Sequence, residues 1–119
     1  MSRPRLAIVI VVLAVIAVVG GYLAFGHKST GGRNVTLNAT VTGGKAMQPS
    51  ELTVSQNDTV TVNITSDMDG EVHLHGYDIH FDTKAGQVVS HTFKAANSGK
   101  FDIEWESTST LLGHLTVNP

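Results

Sequence analysis

The sequence predicts an all-β domain, an antiparallel β-sandwich of seven or eight strands, preceded by one transmembrane helix. Three observations carry this. An uncharged apolar run occupies Leu6 to Phe25, and nothing like it recurs. Beyond it, apolar residues alternate with polar ones in short stretches broken by Gly, Asn, Asp and Pro. That is the pattern of half-buried strands joined by tight turns. No later stretch repeats apolar residues at helical spacing.

The apolar run reads LAIVIVVLAVIAVVGGYLAF. About twenty such residues in a helix span roughly 30 Å, the thickness of a bilayer core. Backbone polar groups find no partner in lipid, so the segment either spans as a helix or is removed. Arg3 and Arg5 precede it, and Lys28 and Arg33 follow. The short basic N-terminus is expected in the cytoplasm and the remainder outside. Ala24-Phe25-Gly26 carries small residues at a spacing that a signal peptidase accepts. Residues 1–26 are therefore read as a membrane anchor, with a cleaved signal peptide as the alternative. The length of the run favours the anchor. The expected location is the cell membrane, single-pass, with the C-terminal domain extracytoplasmic, or secreted if cleavage occurs. Residues 27–34, rich in Gly, Ser and Thr, read as a flexible linker.

The domain proper covers 35–119. Val35, Leu37, Ala39 and Val41 alternate with threonines and Asn38, a first strand that Gly43-Gly44 ends. Leu52 to Val54 forms a second strand after Pro49, and Asn57-Asp58 is a turn. Thr59 to Thr65 places Val60, Val62 and Ile64 on one face. Glu71 to Phe81 is one strand broken at Gly76, or two short ones. Gln87 to Lys94, Lys100 to Glu106 and Leu111 to Val117 complete the set. Trp105 shares a strand face with Phe101 and Ile103 and is expected in the core. Asn-x-Thr triplets begin at Asn34, Asn38 and Asn63; a threonine-rich strand protein supplies these by chance, and they carry little weight.

Charge and composition exclude several functions. All ten Asp and Glu lie beyond the apolar run, and the chain has a net charge of −2. Nothing basic is clustered, which argues against nucleic acid. There is no cysteine, hence no disulfide, no catalytic thiolate and no lipoprotein attachment. No G-x-S-x-G elbow, Gly-rich phosphate loop or paired-carboxylate motif is present, so the protein is expected not to be an enzyme.

One segment concentrates groups able to bind metal. Asp67, Asp69, Glu71, His73, His75, Asp78, His80 and Asp82 fall within it. His73 and His75, two apart on a strand, share a face and can reach one ion. Imidazole suits copper, zinc and nickel, and carboxylates complete such sites. The same pattern also describes the wet face of a strand. His91, flanked at spacing two by Val89 and Phe93, is expected to point inward, as a satisfied core histidine or beneath a metal. His114 is expected to face water. Glu104 and Glu106 read first as solvated charges.

These residues resemble a known family. Pro49-x-x-Leu52-x-Val54-x-x-x-Asp58-x-Val60 is similar to the cupredoxin stretch entering the second and third strands. Val72-His73-Leu74-His75-Gly76-Tyr77-Asp78 resembles the segment holding the first copper histidine, in the form found in exported bacterial cupredoxin-like proteins. Gly99-x-Phe101 through Leu115-x-Val117 resembles the closing hairpin. The domain is also similar to that of Efe-type periplasmic iron-uptake proteins. The resemblance covers nearly all of 35–118 and implies a cupredoxin-like fold. It matches His75 to the first histidine. The cysteine position falls at or near Trp105, the second histidine around Ser107 to Thr108, and the methionine near Leu111. A blue-copper centre is thus not expected. In relatives without cysteine a histidine often stands where this chain has Glu106, and that carboxylate is expected to keep a ligand role.

The metal candidates are His75, His73, Glu106, His80 and His91, with copper the first choice of ion. The expected task is metal capture or hand-over, through the membrane at 6–25 and a metal-transport partner. A metal-free sandwich acting as an interaction or scaffold module stands as the alternative.

Overall fold

The structure, a computed structural model, describes residues 32–119. The expected membrane segment at 1–26 and most of the linker lie outside the described residues. Among the described residues, no helix is long and apolar enough to cross a membrane.

Among the described residues nine strands form two sheets. They are β1 (Asn34–Thr42), β2 (Ala46–Gln48), β3 (Glu51–Ser55), β4 (Thr59–Ser66), β5 (Gly70–Leu74), β6 (Ile79–Thr83), β7 (Val88–Lys94), β8 (Gly99–Trp105) and β9 (Thr110–Asn118). One sheet runs β2-β1-β4-β7, the other β3-β9-β8-β5-β6. A 3-10 turn, Glu106–Thr108, separates β8 from β9. The all-β expectation holds for this region, and Gly76 divides the histidine-rich stretch into β5 and β6.

The sheets are mixed rather than purely antiparallel. β1 pairs with β4 in parallel, Val35 opposite Val60 through Val41 opposite Ser66. β3 pairs with β9 in parallel, Glu51 opposite His114 through Ser55 opposite Asn118. Parallel neighbours need a crossover connection, and both pairs have one. The chain leaves β1, passes through β2 and into the second sheet as β3, then returns as β4. β2 was not expected. Its three residues, with only Met47 buried, are too few to display alternation.

The alternating residues meet between the sheets. Val41, Val54, Val60, Ile64, Val72, Phe81, Leu115 and Val117 are almost fully buried. Trp105 is 3 % exposed, as its strand face implied. Gly70 is required there. A Cβ at that position would fall 2.1 Å from Cζ2 of the indole, so the start of β5 lies directly against the ring.

Asp58 is the charged residue at the heart of this packing, 0 % exposed. Its carboxylate accepts from the backbone N–H of Arg33 at 3.1 Å and of Ser55 at 2.9 Å. Arg33 Nη2 lies 3.8 Å away. A buried carboxylate is tolerated only with such partners. They tie the entry to β1 to the turn before β4.

His91 corrects an expectation. It is exposed, although its ring meets Phe81 edge-on with centroids 4.9 Å apart. Alternation did place it on the inner side of its strand. However, β7 and β6 are the last strands of their sheets, and an inward residue on an edge strand borders the open margin of the sandwich.

Candidate functional site

Alternation sends Val72, Leu74, Phe81, Ile103 and Trp105 inward. It therefore sends Glu71, His73, His80 and Glu104 to the outer face of the five-stranded sheet. Register then makes them neighbours. His73 stands opposite His80 on β6 and opposite Glu104 on β8; Glu71 stands opposite Asp82.

The imidazoles stack. His73 and His80 lie with centroids 4.1 Å apart at 11°, and the His75 ring, tilted by 43°, is also 4.1 Å from His73. Carboxylates surround them. Asp78 Oδ1 bridges His73 Nε2 at 3.0 Å and His80 Nε2 at 3.1 Å. His80 Nδ1 bonds Glu71. His75 Nε2 bonds Glu104 Oε1 at 2.8 Å. Glu106 Oε2 lies 3.1 Å from His73 Nδ1 but is not aligned as a hydrogen-bond partner, and that nitrogen is shielded from water.

The turn between β5 and β6 aims Asp78. Gly76 has φ +84°, and a Cβ there would strike Phe101 at 2.2 Å. Asp78 itself is left-handed at φ 53°, a conformation that Asp tolerates better than most residues. Tyr77 pins the turn. Its ring packs against Phe93 and Phe101, each with centroids 5.0 Å away, and its hydroxyl donates to Asn97 O at 2.6 Å. The His-Gly-Tyr-Asp stretch is thus a device that swings one carboxylate back over two histidines.

The charges shift accordingly. Hydrogen bonds from His73 and then His80 hold the Asp78 carboxyl below its usual range. The bond to Glu71 raises His80 above the usual imidazole value, against a smaller opposing effect of burial.

His73, His80 and Glu106 each offer a ligand atom, all within 4.8 Å of one another. Ligands sharing a four-coordinate ion at about 2.0–2.2 Å stand roughly 3.3 Å apart, so small side-chain rotations bring these to one ion. The nitrogen and oxygen donor set suits Cu(II) or Zn(II), and His73 Nδ1 is a shielded donor atom lacking a hydrogen bond. A blue-copper centre does not fit. The position expected for its thiolate belongs to Trp105, which is core, and Leu111 is half exposed with no sulfur to offer.

Of the residues singled out in the sequence, the structure brings His73, His80 and Glu106 together. It sets His75 beside them on Glu104, and places His91 in the other sheet. Glu104 is a half-buried partner of an imidazole rather than a solvated charge. Its role could not be seen without the register of β5 on β8. Asp78 carried a signal, since it follows directly on the Gly-Tyr turn.

This arrangement of sheets defines a cupredoxin-like fold. Solved structures share it. A chain of a heme-copper terminal oxidase dimer superimposes with a TM-score of 0.64 at 15% identity, covering 98% of this chain and 99% of that one. The metal-binding domain of the Cu(I)-exporting P-type ATPase CopA of Streptococcus pneumoniae D39, with Cu(I), gives 0.63 at 10% identity over 77% and 91%. Auracyanin A, a blue copper protein from Chloroflexus aurantiacus, gives 0.56 at 20% identity over 71% and 99%. At such identities the likeness is one of fold. No protein-family model matches the chain, and no curated protein matches it in sequence.

Proposed function

We propose that the chain is a membrane-tethered, extracytoplasmic cupredoxin-like domain that binds a divalent ion, copper first, for capture or hand-over. The observation that carries this reading is the convergence of His73, His80 and Glu106 on one outer sheet face, with Asp78 clasping both histidines. Neighbours described as binding copper support the choice of ion, as does the resemblance to exported bacterial domains. Leu6 to Phe25 anchors the chain. A full-length product that resists carbonate extraction supports the anchor, and a soluble product beginning near His27 refutes it.

Titration of the full chain in detergent with Cu(II) tests the binding. An ion that binds only the folded state stabilises it by about 2.7 kcal/mol at a hundredfold excess over its dissociation constant. The unfolding midpoint should rise accordingly. His73→Ala and His80→Ala should each remove most of the rise. His75→Ala distinguishes the position matched by the family resemblance from the cluster itself. A midpoint that no metal shifts refutes the reading. The alternative is then a metal-free interaction module. One observation favours it: a carboxylate already stands beside every imidazole of the cluster, so each ring, when protonated, has a counter-charge without an ion.

A further inference from the structure

The outer face of the five-stranded sheet continues beyond this cluster. His75 donates its backbone N–H to Asp102 O at 2.9 Å. Asp102 stands opposite His114 on β9, which stands opposite Glu51 on β3. Imidazole and carboxylate groups thus cross all five strands, from His80 on β6 to Glu51 on β3.

His114 was expected to face water, yet its side chain is only 22% exposed. Its Nδ1 is hydrogen-bonded to Glu51 Oε2 at 2.9 Å. A carboxylate can only accept, so Nδ1 carries a proton, and whenever the ring is neutral its lone pair is on Nε2. Nε2 lies 3.4 Å from Asp102 Oδ1, without a hydrogen bond. In the neutral ring Nε2 and Asp102 Oδ1 are both acceptors, so the gap between them favours a cation, a proton at low pH or a metal ion above it. Their separation is close to the roughly 3.3 Å between ligands sharing a four-coordinate ion. A histidine held at one ring nitrogen by a carboxylate, with the other nitrogen presented, has the orientation of metal-binding histidines generally. Two carboxylates against one nearby ammonium, Lys100 two residues along β8, leave the position net negative.

We infer that His114 Nε2 and Asp102 form a second seat for a divalent cation, with Glu51 as the positioning residue that holds the ring. The seat has its own ligands and does not depend on the cluster around His73. Water or a carboxylate of a delivering partner completes its coordination. A sheet face with two seats suits an ion in transit better than a single closed site.

Equilibrium dialysis of the full chain in detergent against Cu(II) tests this. Two ions per chain are expected. His114→Gln and Asp102→Asn should each leave one, with circular dichroism unchanged. Asp102 is 57% exposed, so its variant keeps the test sound if His114→Gln fails to fold. Glu51→Ala should weaken the second ion about 10–100-fold, and Glu51→Gln, which still accepts from Nδ1–H, should recover most of it. The His73→Ala/His80→Ala double variant should lose the other ion and keep this one. Unchanged binding in both His114→Gln and Asp102→Asn overturns the second seat, whatever happens at His73. A single ion that His114→Gln abolishes and the double variant keeps overturns the cluster instead and leaves this seat standing.

Discussion

Replacing Trp105 with alanine tests how the core supports the outer face. The indole is 3% exposed, and Gly44 and Gly70 leave the space that it fills: a Cβ on either would fall 2.7 Å or 2.1 Å from the ring. A tryptophan buries about 150–250 Å², which at about 25 cal/mol per Å² is roughly 4–6 kcal/mol. That sum is an upper value, because the unfolded chain is itself partly compact. Large aromatic-to-alanine changes in other cores cost about 3–5 kcal/mol, and the same is expected here. It is a large share of the 5–15 kcal/mol or so that holds a typical domain together. Function should suffer as well, since Trp105 lies between Glu104 and Glu106 and fixes the strand end that presents both. Urea unfolding followed by far-UV circular dichroism is the suitable assay, because Trp105 is the single tryptophan and its fluorescence is lost with it. A cost under about 1 kcal/mol would refute the reasoning and mean that the two glycines do not frame the ring.

Asp58→Ala should lower stability by about 1–3 kcal/mol in the same assay, since it removes the buried acceptor of the part-buried Arg33 and Ser55 amide hydrogen bonds. Gly76→Ala should cost at least about 1 kcal/mol, because φ +84° is left-handed and the added Cβ meets Phe101; a neutral result would show that the turn relaxes freely. His80 has a raised value in the folded state, so its contribution to the metal-free domain is full below about pH 6.5 and is lost as pH rises through the folded value. Asp78 has a lowered value, so its contribution is present above its ordinary carboxylate range and is lost as pH falls through the depressed one. Thermal unfolding of His80→Gln across pH 5 to 9 should flatten the alkaline loss, and an unaltered profile would deny the Glu71 bond its role. The proton that Glu71 stabilises on His80 must also leave before a metal binds, so Cu(II) affinity should still be rising above pH 6.5. Copper-loaded protein should show only the weak colour of nitrogen and oxygen ligation; an intense blue band would contradict a chain that has no thiolate.

Local periodicity made much of this protein legible in its sequence. Alternation at period two set the strands and the face on which each side chain lies, including Trp105 within the core and His73 outside it. The missing cysteine ruled out blue copper without any structure. The dense run from Asp67 to Asp82 marked the region where ligands gather. Neighbourhood across strands was another matter. Whether Glu104 meets His75, Glu106 approaches His73, or His114 stands between Glu51 and Asp102 depends on register between segments far apart in the chain. The parallel pairing of β1 with β4 and of β3 with β9 depends on crossovers that no local pattern encodes. His91 became exposed because β7 ended as an edge strand, which its own residues do not state. A strand's faces follow from the geometry of one chain segment, whereas its neighbours follow from how the whole chain buries its apolar faces at once.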